Sequence, residues 1–71
     1  MAITRMKTRR LELKLTQQAV GYLARISSSD VSRIENCRMI PYSTQAEKIA
    51  RVLKLDPAEL QKPVRQSRGL S

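Results

Sequence analysis

Apolar residues recur at three- and four-residue intervals along most of the chain, and they do not alternate convincingly with polar residues. Val20 and Ala24 are four positions apart, and Val31 and Ile34 are three apart. This spacing places side chains on one face of a helix. The pattern therefore predicts an all-α chain without strands.

Capping residues divide the apolar pattern into five predicted helices. Thr16 can accept a hydrogen bond at the start of the second helix, and Ser27 opens the third. Asp56 followed by Pro57 predicts the start of a short fifth helix. The predicted helices are about 4–14, 17–24, 27–36, one from 43 or 44 with an apolar stripe to 53, and one after 56.

Two capping boxes are expected from acidic residues three positions after a hydroxyl. Asp30 follows Ser27 at this distance, and Glu47 follows Thr44. In a capping box the hydroxyl and the acid each accept a backbone N–H of the helix start. These pairs should fix where the third and fourth helices begin.

The predicted core is aliphatic, because aromatic residues make up only 3% of the chain. Met6 and Leu13, with Ile3, are expected on the inner side of the first helix. A second set should lock the angle between the second and third helices. Its members are Val20, Ala24, Ile26, Val31 and Ile34.

With 71 residues, the chain is one domain near the lower size limit for folding on a single core. We expect a domain at 1–62 and a basic, flexible tail at 63–71. The net charge of +8 favours a polyanionic partner. Membrane binding is disfavoured, because the chain has neither Trp nor Phe and its apolar residues are needed in the core.

The composition gives little support to a catalytic or metal-binding function. The chain has no His and one Cys, Cys37, so a Cys/His zinc site and an internal disulfide are excluded. The carboxylates are scattered, and enzyme is the weakest class of function. We expect no cofactor and no metal. Cys37 is expected to be an inert, half-buried thiol, which fits a reducing cytoplasm.

Very few residues join the second and third predicted helices, and this forces a tight angle between them. Ser28 and Ser32 are then four apart on the outer face of the third helix, as are Ser29 and Arg33. Short hydroxyls can approach base edges closely, and arginine can bind guanine O6 and N7 through two bonds. This face is a candidate surface for reading double-stranded DNA.

Residues 3–60 resemble the Cro/CI-type helix-turn-helix family of phage and bacterial repressors, also called the xenobiotic response element family. In size and basic tail the chain is most similar to a lambdoid phage Cro protein or a free-standing repressor domain. The resemblance implies a compact five-helix, lambda-repressor-like fold. It rests on Leu15-Thr16-Gln17-Gln18-Ala19-Val20-Gly21, Ile26-Ser27, Val31-Ser32-Arg33-Ile34-Glu35-Asn36, Pro41, Ile49-Ala50, Leu53 and Glu59-Leu60.

The family resemblance also implies roles for individual residues. Gln17 would hold a phosphate at the N-terminus of the second helix, and Arg10 with Glu35 would form a buried structural ion pair. The implied DNA-binding residues are Gln17, Gln18, Ser27, Ser28, Ser29, Ser32, Arg33, Arg38, Tyr42, Ser43 and Thr44.

Three positions depart from the family pattern. Arg25 stands in the turn and Cys37 at the end of the recognition helix, where the family usually has glycine. A left-handed backbone at such a residue costs about 1 kcal/mol, so either Arg25 accepts this strain or the turn has a different geometry. Leu23 replaces a commonly polar residue and is expected to be exposed.

The interpretation that follows is a transcriptional repressor bound as a homodimer to inverted half-sites, in the cytoplasm of a bacterium or a phage-infected cell. The candidates for the dimer face are Leu55, Pro57, Leu60 and Val64, and the alternative for both leucines is a place in the core. One alternative is an antitoxin with a toxin partner, or a restriction-modification controller. Another is a protein-interaction module without DNA binding, which an acidic or aromatic recognition face would favour.

Overall fold

The computed structural model describes residues 3–64, and its secondary structure there is helical. The α-helices are α1 (Arg5–Glu12), α2 (Gln17–Ala24), α3 (Ser28–Glu35) and α4 (Ser43–Leu53). The predicted all-α class is confirmed, but the fifth element is only a 3-10 turn, Pro57–Glu59. Within residues 3–64 no helix has the length and apolar character needed to cross a bilayer.

The two ends of the described part of the chain pair with each other through backbone contacts. Thr4 and Pro63 form an isolated antiparallel bridge, and the Val64 N–H donates to Ile3 O at 2.7 Å. The first two residues of the predicted tail, 63–71, are therefore paired with the two residues that precede α1. Residues 65–71 lie outside the described residues.

The core is aliphatic, as the composition predicts. It joins side chains from all four α-helices and from Leu60: Met6, Val20, Ala24, Val31, Ile34, Ile49, Ala50, Leu53 and Leu60. Ile26 is only half-buried against this cluster. The expectation for Leu13 and Ile3 was wrong, because both are exposed, Leu13 by 37%. Leu13 follows the last residue of α1, where the chain leaves the core.

Hydroxyl and carboxylate caps open three of the elements as predicted, but neither capping box forms. Thr16 accepts from the Ala19 N–H, and Asp56 from the Ala58 N–H. Ser27 Oγ accepts from the Ser29 N–H, one residue earlier than the box requires. At α4 the predicted Thr44–Glu47 pair is replaced by another contact. There the side-chain oxygen Gln45 Oε1 accepts from the Tyr42 N–H at 3.0 Å.

All four described α-helices end in the same way, with a left-handed residue that is not glycine. These residues, with φ of 58° or 59°, are Lys14, Arg25, Cys37 and Lys54. The next residue donates its N–H to the carbonyl five positions back, which satisfies an otherwise free helix carbonyl. The bonds are Leu15 to Arg10, Ile26 to Gly21, Arg38 to Arg33 and Leu55 to Ala50, at 2.7–3.0 Å.

These helix ends explain several differences from the sequence-based expectations. The first helix was expected to reach Lys14, but the left-handed conformation of Lys14 stops it at Glu12. Arg25 adopts the strained conformation rather than altering the turn. Cys37 is exposed, which corrects the expected half-buried thiol, because its left-handed position projects from the end of α3.

Candidate nucleic-acid interface

The connection between α2 and α3 is tight because the two helices approach closely at Gly21. The Ile26 N–H donates to Gly21 O at 2.8 Å. A Cβ added to Gly21 would lie 2.5 Å from Ile26 O and 3.3 Å from Ser28 N. These contacts are between backbone atoms, which cannot move aside as a flexible side chain could. Gly21 therefore sets the distance at which α3 begins.

One side of α3 is buried and the other is open to solvent. Val31, Ile34 and Glu35 are buried, whereas Ser29 and Arg33 are exposed. The open side lines a broad concave surface, which we call the α3 groove. Its lining residues are Gln17, Ser28, Ser29, Ser32, Arg33, Asn36, Arg38 and Met39.

The α3 groove brings together six of the predicted DNA-binding residues and adds two, Asn36 and Met39, that were not predicted to bind DNA. Asn36 is one of these, and its side-chain amide donates to Ser32 O at 2.9 Å. It extends the stripe of Ser28 and Ser32 by another four positions, and that spacing could have identified it. Met39, in the loop after α3, has no comparable signal in the sequence.

The other predicted DNA-binding residues lie outside this groove. Gln18 is exposed on α2, and Ser27 caps α3. Tyr42, Ser43 and Thr44 are exposed at the N-terminus of α4. Their predicted phosphate contacts stay predictions. An exposed helix N-terminus with free N–H groups is a suitable position for such contacts.

A buried ion pair fixes the inner side of α3 to α1. Arg10 Nε donates to Glu35 Oε1 at 2.8 Å and Arg10 Nη2 donates to Glu35 Oε2 at 3.0 Å. A third donor, Arg10 Nη1, reaches Leu15 O at 2.8 Å. The side chain of Glu35 is only 1% exposed. Hydrogen bonding to Glu35 raises the pKa of Arg10 above its already high usual value, against the opposing effect of burial.

A family model described as a helix-turn-helix domain matches residues 4–62, which is most of the chain. The chain belongs to this helix-turn-helix family. It is a DNA-binding domain of that family, with α2 and α3 as the helix-turn-helix. None of the curated proteins or solved structures compared with the chain matches it significantly.

In this helix-turn-helix domain, Gln17 connects the groove to the buried ion pair. Gln17 Nε2 donates to Glu35 Oε2 at 3.3 Å, so the carboxylate receives donors from both α1 and α2. An amide nitrogen carries two N–H groups, and the second stays available to a ligand. The first turn of α2 also presents the backbone N–H groups of Gln17 and Gln18. The Ala19 N–H is already bonded to the hydroxyl of Thr16, and the bonds of the helix itself begin with Val20 to Thr16 O.

Residues from the two ends of the domain hold the C-terminus of α3. Thr4 Oγ1 donates to Glu35 O at 2.9 Å. Gln61 Nε2 donates to Ile34 O at 3.0 Å and to Met39 O at 2.8 Å. Sequence reasoning missed both residues, because these contacts join positions 22 to 31 residues apart. They fix the helix end and the start of the loop that carries Arg38.

On the open side of the domain, Arg33 has one charged neighbour within α3. Arg33 Nη1 lies 3.9 Å from Asp30 Oδ1, and 62% of the Arg33 side chain is exposed. An exposed pair at this distance contributes little to stability. The guanidinium is therefore available to a ligand in the groove.

Proposed function

We propose that this domain is a transcriptional repressor that reads double-stranded DNA in a sequence-specific manner. The observation that carries the proposal is the α3 groove, in which Ser28, Ser29 and Ser32 stand beside Arg33. Hydroxyls and a guanidinium are the groups that discriminate bases in the major groove. The inner side of α3 is fixed by the core and by the Arg10–Glu35 pair, so these groups have a rigid support.

Charge and helix termini support the positioning of the domain on the duplex. The chain carries a net charge of +8, and Arg38 lies in the groove beside the base-reading groups. Contacts from arginine and lysine to phosphate release counterions, so affinity falls steeply as salt increases. The exposed N-termini of α2 and α4 add N–H donors suited to phosphate.

We propose a homodimer on an operator with inverted half-sites, because one α3 groove offers few base contacts. Two copies with recognition helices about one DNA turn apart double that number. The predicted dimer face needs correction, since Leu60 is 1% exposed and belongs to the core. Leu55 is half-buried against the core, while Pro57 is exposed. Such a repressor acts in the cytoplasm of a bacterium or of a phage-infected cell.

Selection from a pool of random duplexes tests this proposal. Wild-type protein should enrich a two-fold symmetric site whose half-sites are centred about 10 base pairs apart. The double variant Ser29→Ala, Arg33→Ala is the matched control, because both side chains lie on the open side of α3. It should fold and lose the enrichment.

Two results would contradict separate parts of the proposal. If wild-type protein enriches no sequence at all, base reading is wrong. If it enriches a single asymmetric half-site, base reading stands and the homodimer is wrong.

A further inference from the structure

Asp30 introduces a negative charge at the edge of a surface that should attract DNA. It is the acidic residue in the first turn of α3, and its side chain is 32% exposed. Its Oδ1 atom lies 3.9 Å from Arg33 Nη1, one helical turn along. Asp30 is not among the residues that line the α3 groove, whereas Arg33 is. The carboxylate thus flanks the guanidinium from outside the groove.

This placement restricts what Arg33 can do. A guanidinium has five N–H donors in a planar fork, so one N–H can face a carboxylate while others bind guanine. An unrestrained arginine on a long side chain can equally bind a phosphate, which carries no sequence information. A carboxylate beside it repels phosphate and disfavours that alternative.

We propose that Asp30 is a specificity-determining residue that acts through Arg33. By restraining the guanidinium at the edge of the groove and repelling phosphate, it favours a two-bond contact with one guanine. The carboxylate lowers affinity for all duplexes and increases the difference between the preferred base pair and the others. This inference rests on the proposed function, in which the open side of α3 reads bases.

A purely structural role for Asp30 makes a different prediction. An acidic residue in the first turn of a helix interacts favourably with the helix dipole. If that were its whole role, replacing it would lower the unfolding midpoint and leave base preference unchanged. Base discrimination at a single position therefore separates the two roles.

The experiment is a double-mutant cycle read out as base discrimination. Asp30→Asn is made in the wild-type protein and in Arg33→Ala, and affinity is measured on four duplexes that differ at the base pair most sensitive to Arg33. In the wild-type background Asp30→Asn should lower discrimination about two- to fivefold, the range of an exposed ion pair. In the Arg33→Ala background it should change discrimination at that position by less than the error of the measurement.

Glu12→Gln is the matched control, because Glu12 forms an (i,i+3) pair with Arg9 on α1, 3.2 Å apart. It removes the same charge from an equivalent pair, and it should leave base discrimination unchanged. Asp30→Glu keeps a carboxylate within reach of Arg33. It should therefore retain at least half of the discrimination that Asp30→Asn loses. A glutamate variant as indiscriminate as the asparagine variant would overturn the proposal.

The cycle also distinguishes this inference from the proposed function. If wild-type protein discriminates among the duplexes and Asp30→Asn discriminates equally well, the role of Asp30 is wrong and base reading stands. A loss of equal size in the Arg33→Ala background would show that Asp30 does not act through Arg33. If wild-type protein binds all four duplexes equally, the proposed function itself fails.

Discussion

The inner and outer sides of α3 differ in how many contacts their side chains make within the protein. On the inner side the Glu35 carboxylate accepts from Arg10 and Gln17, and Val31 and Ile34 pack into the core. On the outer side Arg33 has one ion-pair partner among residues 3–64, which is Asp30 at 3.9 Å. The helix therefore divides into a support that maintains its position and a surface whose groups are open to DNA.

This difference means that stability and recognition should respond to different substitutions on the same short helix. Changes on the inner side should cost folding free energy. Changes on the outer side should alter which DNA is bound and leave the free energy of unfolding nearly unchanged. The following predictions test that separation, from the largest expected effect to the smallest.

Glu35→Ala should have the largest effect, lowering the free energy of unfolding by about 3–5 kcal/mol. The reason is that Arg10 would keep its charge in a site where only 11% of its side chain is exposed. Urea unfolding followed by circular dichroism measures this change. Glu47→Ala, at an exposed position on α4, is the control and should be nearly neutral. Equal losses from the two variants would contradict the importance of the buried pair.

Gly21→Ala should destabilise the domain by about 1–3 kcal/mol, the usual range for overpacking. Helix propensity alone predicts the opposite sign, because alanine is favoured over glycine inside a helix. The backbone contact with Ile26 O, 2.5 Å from the added Cβ, decides the sign. Thermal unfolding of Gly21→Ala and of the exposed Gln18→Ala distinguishes the two effects. A more stable Gly21→Ala would show that the turn can widen.

Arg33→Ala should leave the unfolding midpoint unchanged and remove about 1–3 kcal/mol of discrimination at one base pair. Arg33 is exposed on the outer side of α3. Binding to duplexes that differ at single positions provides the measurement. Uniform weakening on every duplex would identify Arg33 as a phosphate contact. The slope of log affinity against log salt concentration would then fall in magnitude by about one.

Arg25→Gly should give the smallest effect, a stabilisation of up to about 1 kcal/mol. Arg25 has a φ of 59°, which glycine adopts without the steric penalty of a Cβ. Arg51→Gly, within α4, is the control and should destabilise by about 1 kcal/mol. The pair should shift urea midpoints in opposite directions. A shift in the same direction would mean that Arg25 makes contacts that outweigh its strain.

Local sequence patterns predicted the core contacts that hold α3 better than they predicted the long-range contacts and helix ends around it. The three- and four-residue spacing of Val20, Ala24, Val31 and Ile34 predicted the core that holds α2 and α3, because burial imposes helical periodicity. The family resemblance implied the Arg10–Glu35 pair. The stripe from Ser28 to Arg33 predicted most of the groove for the same periodic reason.

The contacts that were not predicted depend on residues far apart in the chain or on backbone geometry. Thr4 and Gln61 bind the end of α3 across 27 or more residues, and no local pattern encodes such pairs. Left-handed helix ends at Lys14 and Lys54 were also missed, because the usual signal is glycine. The expected Thr44–Glu47 box failed because Gln45 accepts from the N–H of Tyr42 at the helix start.

The central claim is that the outer side of α3 meets the DNA bases while the inner side stays in the core. The most direct test is to titrate the selected duplex into ¹⁵N-labelled protein and to follow the backbone amide resonances. The largest shifts are expected at Gln17, from Ser28 to Arg33 and at Arg38, with little change around Arg51. Shifts centred on Arg51, with the resonances of residues 28–33 unmoved, would contradict the account.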